Sequence, residues 1–435
     1  MGKSKDNKFI KIFEENWNKF KEKHSSYNSS RYDEEVAKMT TCGDPNFGYV
    51  EYGCMCCGES RHQVAFTCKG HLCLSCSRVK SENFVGQVME KLHPGIIYRH
   101  LILTIPDQLK PFFYNNRHDK ELYNEFYRIG WEYIQDVFEL VTGKRLRCGA
   151  IIVLHLAGRK GNYRPHLHII VMNGGIDLIS GKWLNIGYFP YEKILPRKWQ
   201  WHLLKMVKEF DNSEEMRKLV DSLWKKYPQG FYNHFKKGDV PQKSQALVKY
   251  LSKYLFRPTI SLKRILKYDS VRGLVTYEYV DHKTKKSVIE EVGVMSFIGR
   301  MVQQLLPKGF HRVKYYGLQH SKTFSKSKEL VLEGMSKVEL SKIGEEQAVF
   351  KARKLSYQER LKIWTGKDPL ECPSCGAEME VIKVWSKKYG VMFDLLEELK
   401  KRGRPPDELL SLQKIDPTDP KDICNQVYEQ MSMDI

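Results

Sequence analysis

Two histidines and two tyrosines in this chain have the types and spacings that phosphoryl transfer on DNA requires. His166 and His168 stand one residue apart in Arg-Pro-His-Leu-His-Ile-Ile-Val. On a strand, positions i and i+2 share a face, so the two imidazoles project side by side while Leu167, Ile169 and Val171 turn into a core. Such a pair can hold a divalent metal beside a scissile phosphate, and three protein ligands with open positions describe a catalytic site rather than a structural one. Tyr250 and Tyr254 stand one helical turn apart in Tyr-Leu-Ser-Lys-Tyr, so on a helix they project together. A tyrosine hydroxyl can attack a phosphodiester and keep one DNA end as an ester. Its ordinary pKa of about 10 makes it a weak nucleophile at neutral pH. A cation on a non-bridging oxygen compensates by polarising phosphorus and absorbing charge in the transition state. The ester conserves the phosphodiester's energy, so a 3′-hydroxyl can reverse the step elsewhere, and two tyrosines allow two such links in one site.

Each pair alone has a plainer reading. The histidines could be satisfied surface or core residues. The tyrosines could belong to a packing stripe with Leu247, Leu251 and Leu255. Lys249 and Lys253 lie one step aside, within reach of a DNA backbone.

The surrounding pattern supplies the elements. Tyr98–Ile105 reads as a strand ending at Pro106, and residues 120–142 as a helix with apolar positions at helical spacing. Gly149–Leu156 and His166–Met172 read as a hairpin around Gly158-Arg-Lys-Gly-Asn162. Pairing Leu156 with Pro165 puts His155 opposite His166 on the same face, a third candidate ligand. Residues 196–226 read as helical with a break at Asp211-Asn-Ser213, and 243–256 as a helix ended by Arg257-Pro258. Strands are expected over 273–279 and 286–293, and a helix over 295–305. The chain beyond Lys322 reads as charged and helical, and 400–406 as an exposed basic loop. A short basic helix is expected over 7–23, and another helix carries Phe84, Val85, Val88, Met89 and Leu92.

Seven of the eleven cysteines fall within residues 42–76. Cys54-X2-Cys57 and Cys73-X2-Cys76 are two knuckles that can close one tetrahedral structural zinc site. Cys42 and Cys68, with His62 and His71, are left for a second ion, and Cys56 is surplus. Cys372-Pro-Ser-Cys375 is half a zinc site, with only Cys424 nearby in sequence. Arg61, Lys69, Arg78 and Lys80 surround the knuckles.

Lys and Arg total 72 against 52 Asp and Glu, a net charge of +20. That excess suits a polyanion, nucleic acid first. No stretch has the apolar length of a membrane span, and the N-terminus lacks an apolar signal region. A cytoplasmic protein with reduced, metal-binding thiols and no membrane partner is expected.

The order of parts resembles the two-tyrosine rolling-circle transposases of the insertion-sequence-91 type, within the wider HUH endonucleases. Cys42-Gly-Asp-Pro-Asn-Phe-Gly48, Cys54-X2-Cys57-Gly58 and Thr67-Cys68-Lys69 are similar to the family's zinc region. Thr104-Ile105-Pro106 is similar to a strand end before its first long helix. Tyr250-Leu-Ser-Lys-Tyr254 with Arg257 and Ile260-Ser261 resembles its nucleophile helix, and Leu306-Pro-Lys-Gly-Phe-His-Arg-Val-Lys-Tyr-Tyr-Gly317 a late block. Val50 stands where the family often has a histidine, and the motif does not fix a third metal ligand.

The resemblance implies an α+β fold with a central antiparallel sheet, flanking helices and a zinc-binding module, followed here by a mainly helical C-terminal region. The expected boundaries are 1–35 for a basic helix, 36–82 for the zinc module, 83–270 for the catalytic domain, 271–325 for its extension and 326–435 for the charged remainder. It implies Mg²⁺ or Mn²⁺ on His166 and His168, one or two structural zinc ions, and cleavage and joining of single-stranded DNA at element ends and target. The intermediates would be 5′-phosphotyrosines on Tyr250 and Tyr254, with a homo-oligomer left open. A plasmid or phage replication initiator or a relaxase would share this chemistry, although the chain has no Gly-X4-Gly-Lys-[Ser/Thr] phosphate loop. A zinc-dependent DNA-binding regulator without chemistry is the competing class.

Overall fold

The computed structural model describes residues 7–158, 160–186, 194–235, 240, 244–254, 260–281, 284, 286–335 and 356–401. The chain forms two compact units. One holds Val36–Cys73 with Met1–Ile10 and Lys354–Ile435, and the other holds Lys11–Glu35 with Leu74–Arg353.

The first unit is built on a four-stranded antiparallel sheet in the order β15-β14-β1-β2. Here β1 is Gly48–Gly53, β2 Arg61–Ala65, β14 Glu380–Ser386 and β15 Gly390–Asp394. β1 lies between β2 and β14, paired from Gly48 opposite Ser386 to Gly53 opposite Glu380. Val50, Val381 and Val384 form its apolar centre. The mainly helical expectation after residue 326 therefore fails over Glu380–Asp394. The charged surroundings hide a short run of Val381, Ile382 and Val384, whose β-branched side chains pack well on a pleated surface. Gly390, at φ 74°, starts the return strand.

The second unit contains most of α1 (Lys8–Lys23) and the start of α2 (Ser30–Thr40). Its centre is a five-stranded antiparallel sheet, β13-β5-β6-β3-β9. The strands are β3 (Tyr98–Thr104), β5 (Gly149–Ala157), β6 (Tyr163–Met172), β9 (Asn233–Phe235) and β13 (Val313–Gly317). One smaller sheet joins β4 (Leu146–Arg147), β7 (Gly174–Asp177) and β8 (Trp183–Asn185). Another joins β10 (Ile265–Asp269), β11 (Leu274–Val280) and β12 (Ser287–Gly293).

Both faces of the central sheet are covered, because both sets of alternating side chains are apolar. Leu101, Leu103, Ile152, Leu154, Leu167, Ile169 and Val171 pack against α5 (Lys120–Thr142) and α6 (Ile194–Phe210). Asp119 caps α5 by accepting the Glu121 N–H at 2.8 Å, after the short α4 (Lys110–Asn115). Gly130 lets α5 approach β6 closely: a Cβ there would stand 2.7 Å from Leu167 Cδ1. The expected break after α6 is real. Ser213 Oγ accepts the Met216 N–H at 3.2 Å and starts α7 (Glu214–Lys226).

On the opposite face, Ile151, Val153, Ile170 and Met172 pack with Val85, Val88 and Met89 of α3 (Leu74–Glu90) and Leu247 and Leu251 of α8 (Ser244–Tyr254). The helix α9 (Val294–Val302) follows β12, with Phe297, Ile298 and Val302 buried.

His93, three residues beyond α3, is 3% exposed, its Nε2 3.0 Å from the Leu318 carbonyl oxygen. Burial pushes this imidazole down to about 4, outweighing the bond that would favour its charged form. The folded pKa lies below the unfolded value, so the unfolded chain takes up the proton first and stability falls as pH drops from about 6.5 to about 4. The full loss is on the order of 3 kcal/mol at about 1.36 kcal/mol per pKa unit. His93→Gln keeps a donor but cannot titrate. Its urea midpoint is expected to fall less than wild type between pH 7 and 5, and equal falls would remove His93 from the account.

Candidate active site and metal centres

The register of β5 against β6 places His155 directly opposite His166, as the hairpin reading requires. His168 lies two residues along on the same face. The three imidazoles each offer a nitrogen within 4.8 Å of the others, with ring centroids 4.2 to 5.2 Å apart. His166 Nδ1–H donates to the Arg164 carbonyl oxygen at 2.7 Å, and His168 Nδ1 is 2.8 Å from His100 Nε2. Both Nδ1 atoms are thus engaged, and Nε2 of each remains for a ligand.

Burial drives the His166 imidazole down to about 4, against the pull of its bond to Arg164. Burial also holds His168 well below its ordinary value, and the neighbouring imidazoles of His155, His166 and His100 add to the effect. His166 and His168 are therefore neutral at pH 7, which is the ligating form. Three convergent imidazole nitrogens fit a divalent cation with open coordination positions.

Tyr250 comes to the same face because Leu247 and Leu251 of α8 anchor the helix on the sheet. Its Oη lies 2.8 Å from His100 Nδ1. His100, on β3, is 0% exposed and bridges Tyr250 and His168. Lys249 is exposed beside Tyr250. Tyr254 closes the same helix, while its side chain, that of Lys253, and Arg257 lie outside the described residues.

The face that carries the histidine cluster continues across β3 to the edge strand. His234 on β9 is opposite Ile102, which is opposite His168. Tyr232, 65% exposed, has its ring within 4° of parallel to that of His234.

The cysteines sort into two quartets, and not as the knuckle spacing suggests. Cys54 and Cys57 converge with Cys372 and Cys375; Cys73 and Cys76 converge with Cys42 and Cys68. The expected single site of Cys54, Cys57, Cys73 and Cys76 is therefore corrected, because pairing of β1 with β14 brings the distant Cys-Pro-Ser-Cys turn to the first knuckle. Cys54 Sγ is 3.5 Å from Cys375 Sγ, and Cys57 Sγ 3.7 Å from Cys372 Sγ. These are far beyond a disulfide and close to the edge of about 3.8 Å of a sulfur tetrahedron with 2.3 Å zinc bonds. Ser60 hydrogen-bonds to Cys372 and helps to hold its thiol down to about 6. At Cys375 the Ala377 N–H favours the thiolate. The crowding sulfur of Cys54, burial, and the sulfurs of Cys57 and Cys372 outweigh it and push the thiol up to about 12. Four sulfurs grouped this closely could share one tetrahedral cation. In the other quartet, the Cys68 N–H donates to Cys42 Sγ at 3.3 Å and the Gly70 N–H to Cys68 Sγ at 3.2 Å. His62 and His71 belong to neither quartet.

The family described as "Putative transposase" matches residues 149–328, and the "Transposase zinc-binding domain" matches residues 12–105. Together they take in the histidine hairpin, the tyrosine helix and the seven cysteines of residues 42–76. The chain belongs to the transposases of the insertion-sequence-91 type. It is 26% identical over 361 residues to the transposase for insertion sequence element IS801 of Pseudomonas savastanoi pv. phaseolicola, covering 80% of this chain and 82% of that protein. It is 24% identical over 343 residues to "Putative transposase y4qJ" of Sinorhizobium fredii (strain NBRC 101917 / NGR234), covering 75% and 82%. No solved structure matches.

Sequence reasoning missed three parts of this transposase. His100 had a signal: Tyr98, His100, Ile102 and Thr104 alternate along β3, but only the pairing of β3 with β6 puts His100 diagonally beside His168. Tyr232 and His234 had none, since β9 is three residues long. The partners of Cys372 and Cys375 are set by strand pairing alone. No helix among the described residues is long and apolar enough to cross a membrane.

Proposed function

We propose that this transposase cuts and rejoins single-stranded DNA at the ends of a mobile element through 5′-phosphotyrosine intermediates, in the manner of an HUH endonuclease acting by rolling-circle transposition. The observation that carries the reading is the imidazole cluster of His155, His166 and His168 on the sheet face where α8 presents Tyr250. The antiparallel sheet with this histidine pair on an inner strand supports the same class.

When bound, Mn²⁺ or Mg²⁺ supplies Lewis-acid polarisation of the phosphate. The chain's own residues do the rest. His155, His166 and His168 offer imidazole nitrogens, and His166 and His168 are oriented by their Nδ1 bonds. Tyr250 Oη attacks phosphorus; its bond to phosphorus forms as the bond from phosphorus to the 3′-oxygen breaks. The phenolic proton passes to solvent, and the 3′-oxygen takes one up from water. A later 3′-hydroxyl reverses the step, and Tyr254 provides a second ester. Lys249 and the overall charge of +20 favour the phosphate backbone. The two cysteine quartets each hold one structural zinc.

The test is incubation with labelled single strands from the ends of the element, with Mn²⁺ or Mg²⁺. A protein–DNA adduct that survives denaturation, and disappears when both Tyr250 and Tyr254 are phenylalanine, is expected. Binding without an adduct across several end sequences would instead favour a zinc-dependent regulator.

The catalytic ligand group holds three nitrogens and no carboxylate among the described residues. Nitrogen donors suit a transition metal better than Mg²⁺. Mn²⁺ is expected to bind at least about tenfold tighter than Mg²⁺ in calorimetric titration, and equal affinities would overturn that assignment. The near-parallel rings of Tyr232 and His234 support a stacking contact with a base near the cleaved phosphate. Tyr232→Ala is expected to weaken single-strand binding by about 1–3 kcal/mol per lost stacked base, read by fluorescence anisotropy. An unchanged Kd would remove the platform.

A further inference from the structure

We propose that His100 is a positioning residue that reports the occupancy of the histidine cluster to the attacking oxygen, by setting the direction of a hydrogen-bond chain. The inference rests on the reading of Tyr250 as nucleophile. His100 is fully buried, and both its ring nitrogens are engaged: Nε2 with His168 Nδ1 and Nδ1 with Tyr250 Oη, each at 2.8 Å.

A neutral imidazole has one donor and one acceptor. The three-residue chain can therefore run in either of two directions. In one, Tyr250 O–H donates to His100 Nδ1, and His100 Nε2–H donates to His168 Nδ1. In the other, His168 Nδ1–H donates to His100 Nε2, and His100 Nδ1–H donates to Tyr250 Oη. A cation on His168 Nε2 permits only the second, because the remaining proton of neutral His168 must then sit on Nδ1.

The consequence falls on Tyr250. With the cluster empty, the phenol can spend its proton on His100. With the cluster loaded, its oxygen accepts a proton donor and its own O–H points away from His100. A hydrogen bond donated to that oxygen favours the phenolate, the attacking species. Occupancy of the cluster and readiness of the nucleophile are thereby coupled through one buried ring, and the coupling is reciprocal in binding.

Two substitutions separate this role from packing. Leucine fills the space without polar atoms, whereas glutamine has a carbonyl acceptor and an N–H donor in one side chain. His100→Leu is expected to weaken Mn²⁺ binding by roughly 10–100-fold and, at saturating Mn²⁺, to slow adduct formation by about 100-fold. His100→Gln is expected to recover at least about tenfold of each loss. Thermal melting establishes that each variant is folded, and the glutamine protein serves alone if the leucine protein is not. A folded leucine variant with wild-type Mn²⁺ affinity and wild-type adduct rate overturns the proposal. So does a glutamine variant as impaired as a folded leucine one, or more than about 100-fold down in both readouts when it is the only folded variant. If wild type itself forms no adduct, the cleavage reading has failed, and the Mn²⁺ affinities alone judge the link between His100 and His168.

Discussion

His168→Ala is expected to lower the rate of covalent DNA attachment by at least about a thousandfold while leaving single-strand affinity within a few-fold. About 4 kcal/mol of lost transition-state stabilisation gives that factor, at 1.36 kcal/mol per tenfold, and Lewis-acid stabilisation is worth several kcal/mol. His168 is the most buried of the three convergent imidazoles, and its Nδ1 also orients His100. Removing it deletes one ligand and leaves His100 Nε2 without its partner, which costs about 1–3 kcal/mol of stability as well. His166→Ala separates the two effects, because His166 is more exposed than His168 and its Nδ1 bond goes to a nearby carbonyl, not to His100. Both variants should lose the adduct, and His166→Ala should melt closer to wild type. DNA affinity should persist because it draws on phosphate contacts spread over a chain of charge +20. An adduct rate near wild type in either variant would end the assignment of the cluster to catalysis.

Cys372→Ser together with Cys375→Ser is expected to reduce bound zinc from two ions per chain to one. Two of four ligands are then lost from one closed site, and structural zinc binding in small domains is worth on the order of 10 kcal/mol. Hydrogen exchange should rise in Gly48–Gly53 and Glu380–Ser386, the pair of strands beside that site. Cys73→Ser should release the other ion. If Cys54, Cys57, Cys73 and Cys76 shared one zinc, the double serine variant would keep its zinc content, and that result would reject the pairing seen in the structure.

The legible parts were those governed by local rules. Period-2 alternation around His166 and His168 gave the strand and its buried face, while His155 entered through an assumed pairing of Leu156 with Pro165 that the observed register of His155 opposite His166 matches. The helix over Lys120–Thr142 followed from apolar spacing, and the structure adds its Asp119 and Gly143 caps. What stayed hidden depends on which strands become neighbours. His100 is an ordinary alternating residue until β3 lies against β6. The Cys372 turn reads as an orphan until β14 crosses to β1. The C-terminal strands were masked by the charged residues around them, since a short apolar run does not by itself separate strand from helix.

The split zinc quartet has a consequence for the order in which the protein is made. Cys54 and Cys57 leave the ribosome early, but their two companions emerge only when the turn at 372–375 has been synthesised. Until then the first knuckle can offer an ion only two of its four corners. A product of premature termination before that turn therefore carries an exposed, half-built thiol site, chemically distinct from the finished protein and open to oxidation or to capture of the wrong metal.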